Sequence, residues 1–213
     1  MQIKNIIFDL GAVLFNLDFG RTEAAFAALS GIPAKDDKFY KQLIQEKTLE
    51  RFETGQVSED EFIQKMQQIC PFPIAAEQIL VAWSAMLLGF PAERLALLEK
   101  IKSKGYRIFL LSNINVVHLR DFYSIMKSQH HLDAADFDAI FERVFYSHLI
   151  GKRKPDVETY QWVLQEANIL ASETVFIDDN AHNIEGAQAA GLAAFRHPAN
   201  GDLQKTLEIL TIL

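Results

Sequence analysis

Five short apolar runs, at residues 3–10, 106–112, 141–146, 174–178 and 192–196, are each bounded by turn-forming residues. They are rich in Ile, Val and Phe and show little alternation between apolar and polar positions. Runs of this kind predict strands buried on both faces, as in a parallel sheet. Between most of them the period changes to that of a helix. Pro91 can open a helix with the stripe Leu95, Leu98 and Ile101, and Gly105 closes it. Pro155 can open a second at its first helical position, with Tyr160, Val163, Leu164 and Ala167 on one face. A third runs from about Asn180 to Ala190 and stops at Gly191. Strands and helices in this order imply βαβ units and an α/β fold with a Rossmann-like, doubly wound parallel sheet.

Residues 16–88 break the rhythm, because only helical patterns occur there. Phe39, Tyr40, Leu43, Ile44 and Phe52 suit one amphipathic helix. Ser58 and Glu61 form a capping box for the next, with Phe62, Met66 and Ile69 facing inward. The expected organisation is a core domain built from 1–15 and 89–213, with an all-helical cap domain, 16–88, inserted after the first strand. Open parallel sheets bind ligands beyond the carboxyl ends of their strands. An insertion at that point is placed to cover the site and exclude water.

Composition narrows the class. With 49% hydrophobic and 23% charged residues in 213, the chain has enough apolar material for a sizeable core. A formal net charge of −7 disfavours nucleic acid and anionic membranes as partners. The basic triplet Lys152-Arg153-Lys154 is long enough to hold one small anion and too short for a polymer. Cys70 is the only cysteine, so no intrachain disulfide can form. No apolar stretch has the length of a membrane span or of a secretory signal. A cytoplasmic protein is expected; nothing in the sequence speaks to its oligomeric state.

Four of the predicted strand ends carry polar groups. Asp9 follows Ile6-Ile7-Phe8, and a carboxylate there is costly unless paired, hydrogen-bonded or bound to metal. Ser112 and Asn113 follow Phe109-Leu110-Leu111; they can bind a phosphate oxygen or cap the next helix. Lys154, ahead of Pro155-Asp156, adds a full charge near a helix amino end, which makes an anion site. Asp178 and Asp179 end the run Val175-Phe176-Ile177, and a hard cation resolves their mutual repulsion. An acid, a hydroxyl, a lysine and an acidic pair at the ends of separate strands suit Mg²⁺-assisted phosphoryl transfer.

Quoted together, Phe8-Asp9-Leu10-Gly11, Ser112-Asn113, Lys154-Pro155-Asp156 and Asp178-Asp179 with Asn183 resemble the motifs of the haloacid dehalogenase (HAD) superfamily. The resemblance covers essentially the whole chain, and the insertion resembles that family's helical type-one cap. It implies that Asp9 is the nucleophile and forms an aspartyl-phosphate that water hydrolyses. It also implies Mg²⁺ held by the Asp9 carboxylate, the Gly11 carbonyl and Asp179, with Asp178 orienting metal-bound water. Ser112 and Lys154 would hold the phosphoryl oxygens. Asn113 would assist in phosphate binding, and Asn183 would be a supporting residue of the site. The expected substrate is a small phosphate ester.

One position departs from the family's pattern. The usual first motif has a second Asp two residues after the nucleophile, serving as general acid and base; here that residue is Gly11. Such catalysis contributes roughly 10²–10⁴ in rate. An anomeric leaving group needs little protonation, so a sugar 1-phosphate would tolerate the loss, and a Gly-type first motif resembles a bacterial branch acting on substrates such as glucose 1-phosphate. Asp18 and His118 are conceivable substitute acids, although a surface or capping role is expected for each. The competing readings are a metal-independent haloacid dehalogenase, a catalytically weak phosphate-binding protein and, less well supported, a phosphomutase.

Overall fold

A computed structural model describes residues 3–30, 47–70 and 72–213. The described elements are β1 (Asn5–Phe8), β2 (Asn16–Leu17), α1 (Phe19–Ser30), α2 (Thr48–Glu53), α3 (Glu59–Ile69), α4 (Ala76–Ser84) and β3 (Leu87–Gly89). There follow α5 (Ala92–Ser103), β4 (Arg107–Ser112), α6 (Val116–His130), α7 (Ala134–Asp138), β5 (Arg143–Tyr146) and α8 (Ser147–Ile150). The chain ends with α9 (Val157–Glu166), β6 (Thr174–Asp178), α10 (Ala181–Ala189), β7 (Ala193–Arg196) and α11 (Leu203–Ile209).

All five strands expected from the apolar runs form one parallel sheet, in the order β5-β4-β1-β6-β7. Side chains alternate across a strand, and here both faces are covered. Ile6, Phe8, Ile108, Leu110, Val175 and Ile177 point into one apolar cluster, which α5, α6 and α11 complete. Ile7, Phe109, Leu111 and Phe176 point the other way, towards Tyr160 and Val163 of α9 and Ala187 of α10. That arrangement explains why the runs read as continuously apolar rather than alternating.

The 16–88 segment contains two strands that its pattern did not predict. Asn16–Leu17 pairs antiparallel with Leu87–Gly89, closing both ends of the segment into a two-stranded ribbon. Strands of two and three residues, half-exposed, carry no readable periodicity. Between them, Phe26, Phe52, Phe62, Met66, Ile79 and Trp83 form a third cluster, and Val117 of α6 joins it. The Ser58–Glu61 capping box forms in full. Of the helix expected around Phe39, Tyr40, Leu43, Ile44 and Phe52, only Phe52 is among the described residues; it is buried and stacks on Phe62 at 4.3 Å. Among the described residues, no helix is long and apolar enough to cross a membrane.

Candidate active site

The sheet register brings three strand ends level. Phe8 pairs with Leu110 on one side and Ile177 on the other, and the Asp9 amide donates to the Ile177 carbonyl at 2.9 Å. Asp9 therefore stands between Ser112, at the end of β4, and Asp178-Asp179, at the end of β6. This is the crevice where parallel sheets place their ligands.

Lys154 arrives by a different route from the one expected. Pro155 does not occupy a first helical position: α9 starts at Val157 with Asp156 as its N-cap, so Lys154 lies on the loop ahead of the helix. Two contacts hold that loop. The Asn113 side chain bonds the Lys154 main chain twice, Nδ2 donating to its carbonyl at 2.8 Å and Oδ1 accepting from its amide at 2.9 Å. Asn113 thus positions the lysine, with both polar atoms of its side chain bonded to the Lys154 main chain. On the other side, a Cβ at Gly186 would lie 2.1 Å from the Pro155 carbonyl oxygen, so only glycine lets α10 approach this closely.

The lysine ammonium closes the constellation. Lys154 Nζ lies 2.7 Å from Asp9 Oδ1 and 2.7 Å from Asp178 Oδ2, with all three residues buried. Asp178 also accepts from the Asn180 amide at 2.8 Å and from Asn183 Nδ2 at 3.1 and 3.0 Å. Asn183 thus holds both oxygens of the Asp178 carboxylate. Asp9, Asp178 and Asp179 each offer an oxygen, and these lie within 4.8 Å of one another. Three carboxylates against one ammonium leave excess negative charge in a buried place. Burial pushes the Asp9 carboxyl up, and the charges of Asp178 and Asp179 add to this against the pull of Lys154. Burial would lower Lys154, but Asp178 and Asp9 override it and hold the amine charged. Burial and the charge of Asp178 raise Asp179 as well. The trio is an all-oxygen set that fits a hard divalent cation, and such an ion offsets the remaining charge.

These groups open onto a cavity of about 480 Å³. Asp9, Ser112, Lys154 and Asp179 line one side of it, while Leu17, Phe19, Met86, Leu87, Glu53 and Arg153 line another. Glu53 is a polar lining residue that the sequence pattern does not single out, and Arg153 stands out there only as part of the basic triplet. Arg153 Nη2 donates to Glu53 Oε2 at 2.9 Å, and Glu50 stands 3.8 Å from the same guanidinium. Burial pushes the Glu53 carboxyl up, with Arg153 opposing. The turn after Glu53 is fixed by close approach: Gly55 has φ of +70°, and a Cβ there would meet the His148 carbonyl oxygen at 2.3 Å. The basic triplet does not act as one anion site, because Arg153 and Lys154 serve different carboxylates. Its two neighbouring cations were a visible signal, but Glu53 lies a hundred positions away in an ordinary amphipathic helix.

Neither conceivable substitute acid has the right setting. Asp18 is exposed and accepts from the Gly20 amide at 3.0 Å, beside Arg21. His118 is buried, in contrast to the surface or capping role expected, and lies against Trp83 with ring centroids 5.1 Å apart. Its Nε2 meets the Trp83 carbonyl at 3.1 Å and Nδ1 meets Asn115 Nδ2 at 3.2 Å. These partners select the neutral tautomer protonated at Nε2. Burial lowers the imidazole pKa to about 4, so the ring is neutral at pH 7 and its one N–H is engaged by the Trp83 carbonyl.

Known proteins share this architecture. A family model described as haloacid dehalogenase-like hydrolase matches residues 3–191. D-ribitol-5-phosphate phosphatase of Bacteroides thetaiotaomicron is 26% identical over 212 residues, 98% of each chain. The sesquiterpene phosphatase astK of Aspergillus oryzae is 28% identical over 190 residues, covering 89% of this chain and 87% of that one. A HAD-family enzyme from Bacteroides thetaiotaomicron, solved with magnesium and inorganic phosphate, superposes with a TM-score of 0.80 at 29% identity, over 96% of this chain and 98% of that one.

Proposed function

Because the chain belongs to the haloacid dehalogenase-like hydrolases, we propose that it is a Mg²⁺-dependent phosphatase that hydrolyses a small phosphate ester through Asp9. The observation that carries the proposal is the Lys154 ammonium, 2.7 Å from both Asp9 and Asp178, inside a trio of carboxylates. Displacing halide from carbon needs no metal and gives such a trio no role, which weighs against the dehalogenase reading. The similarity to two phosphatases along nearly the whole chain supports the same choice.

Asp9, the Gly11 carbonyl, Asp178 and Asp179 would hold the ion. An ion held there would supply positive charge against the negative charge that builds up in phosphoryl transfer. One Asp9 carboxylate oxygen attacks phosphorus as the ester oxygen departs, giving an aspartyl-phosphate and an alkoxide. Lys154 offsets the charge on the phosphoryl oxygens, and the Ser112 hydroxyl donates to one of them. Asn113 and Asn183 hold Lys154 and Asp178 in position. Water then attacks phosphorus and breaks its bond to the Asp9 oxygen, releasing phosphate that keeps the water's protons and freeing the Asp9 carboxylate, while the alkoxide takes a proton from solvent. The segment between β2 and β3 acts as a cap that covers the crevice.

Gly11 leaves the departing alkoxide without the family's usual proton donor. We therefore favour leaving groups that are stable as anions, and a sugar 1-phosphate is the first choice. D-ribitol 5-phosphate, an ordinary primary ester, is the second, because it is the substrate in the name of one similar protein. The test is a phosphate-release screen with and without Mg²⁺ that includes glucose 1-phosphate, glucose 6-phosphate and ribitol 5-phosphate, with Asp9→Asn as control. Mg²⁺-dependent release from the 1-phosphate above both others supports the narrower reading. A clear preference for glucose 6-phosphate defeats it, and release of chloride from a chlorinated acid in EDTA defeats the phosphatase reading altogether.

A further inference from the structure

Two residues beyond Asp9, Gly11 does not face empty space. A Cβ built on it would lie 2.8 Å from Leu17 Cδ1 and 3.8 Å from Leu17 Cγ. The volume into which a side chain at position 11 would extend is thus filled by Leu17, which lines the same cavity as Asp9.

The main chain of Leu17 is held in place by its neighbours. The Asn200 side chain bonds both of its main-chain groups, with Nδ2 donating to the Leu17 carbonyl at 2.8 Å and Oδ1 accepting from the Leu17 amide at 2.9 Å. The Asn200 amide donates to the Ala12 carbonyl at 2.7 Å, tying the same corner to the loop that carries Gly11. Next to it, the buried Arg94 donates to Asn16 Oδ1 at 2.8 Å and to the Gly201 carbonyl at 3.0 Å. Leu17 also pairs with Leu87 in the β2–β3 ribbon, and its side chain packs on the main apolar cluster. The hydrogen bonds fix the Leu17 main chain, and packing on the apolar cluster sets its side chain beside Gly11.

Building on the phosphatase reading, we propose that Leu17 is a specificity-determining residue: held by Asn200, it occupies the place of a proton donor and confines the enzyme to esters whose leaving group departs without protonation. Leucine has no proton to give and keeps water from standing in that place. Glycine at position 11 and leucine at 17 then form one device, and changing either alone leaves the other unsuited. Asn200 is its positioning residue.

A double-mutant cycle tests this on p-nitrophenyl phosphate, an aryl ester with a good leaving group, and glycerol 1-phosphate, an alkyl ester with a poor one. Gly11→Asp alone is expected to lose at least ~10-fold in kcat/KM on both esters, because its carboxyl cannot seat. Gly11→Asp with Leu17→Ala is expected to recover ~10-fold on the aryl ester and to raise the alkyl-to-aryl ratio at least ~10-fold above wild type, within the range of general acid catalysis. Asn200→Gly, which keeps the backbone conformation at φ of 56° and removes the clamp, should shrink the Gly11→Asp loss. Additive effects, or a Gly11→Asp enzyme that gains on the alkyl ester by itself, overturn the proposal. The Gly11→Ala and Leu17→Ala cycle read by thermal unfolding reports the packing without turnover. Gly11→Ala should lower Tm by about 5 °C, and the same change should cost little when Leu17 is already Ala; equal costs in both backgrounds overturn the proposal. A wild type that releases phosphate from neither ester, with the thermal cycle still coupled, marks failure of the phosphatase reading instead.

Discussion

The two walls of the cavity differ in how firmly they are fixed. On the sheet side, Asp9, Lys154 and Asp178 are buried, and Asp178 alone takes contacts from Lys154, Asn180 and Asn183. On the opposite side stand Leu17, Phe19, Met86 and Leu87, with Phe19 55% exposed, and one part-exposed ion pair, Glu53–Arg153. Charges on the first wall have no water to fall back on, so each depends on its partners. Those on the second are only partly withdrawn from solvent, each side chain being about a quarter exposed. The buried charges therefore sit on the wall that tolerates least change, and the other wall is freer to vary.

Removing the divalent ion is the largest test of that contrast. Chelation should bring phosphate release to background and Mg²⁺ should restore it. Mg²⁺ at a hundred times its dissociation constant should also stabilise the fold by about 2.7 kcal/mol in thermal unfolding. Substituting the central cation comes next. Lys154→Met leaves Asp9 and Asp178 buried without their counter-ion, and should cost about 3–5 kcal/mol in denaturant unfolding as well as abolishing turnover. A stable Lys154→Met protein would mean that the sheet-side wall is less tightly coupled than its geometry implies.

His118, a buried residue of the cavity lining, gives a pH-dependent test. Its folded pKa of about 4 is below the unfolded value of 6.5. Between these values the unfolded chain binds a proton that the folded chain refuses, so stability falls as pH drops through this window. Comparing wild type with His118→Gln, the stability difference should shrink by about 2–3 kcal/mol between pH 7 and pH 4.5. The smallest effect belongs to the second wall. Glu53→Gln should change stability by less than about 1 kcal/mol, because the pair is part-exposed. Its signature should be a KM change of up to ~10-fold that varies from ester to ester, with kcat nearly constant.

The same contrast decides what could be read from sequence. Sheet-side groups sit at the ends of apolar runs, where a polar residue stands out, and Asp9, Ser112, Asp178 and Asp179 all announce themselves in this way. Lys154 was visible too, although its setting was not, since the Asn113 and Gly186 contacts that place it span distant segments. Glu53 and Arg153 meet across a hundred residues, and nothing local in α2 marks Glu53 as facing a cavity. The β2–β3 ribbon escaped for want of length. Leu17 looked like any apolar residue, and its meaning appears only beside the missing side chain of Gly11. His118, polar in a first helical turn, suggested a surface site, but the ring is buried against Trp83.

All of this turns on whether Asp9 makes the bond to phosphorus. Mixing the protein with ³²P-labelled acetyl phosphate and Mg²⁺, quenching in acid within milliseconds and mapping the label by proteolysis answers it directly. Label on the peptide containing Asp9 in the wild type, and none in Asp9→Asn, is the predicted result. Turnover with no label at Asp9, or equal labelling of Asp9→Asn, would contradict it.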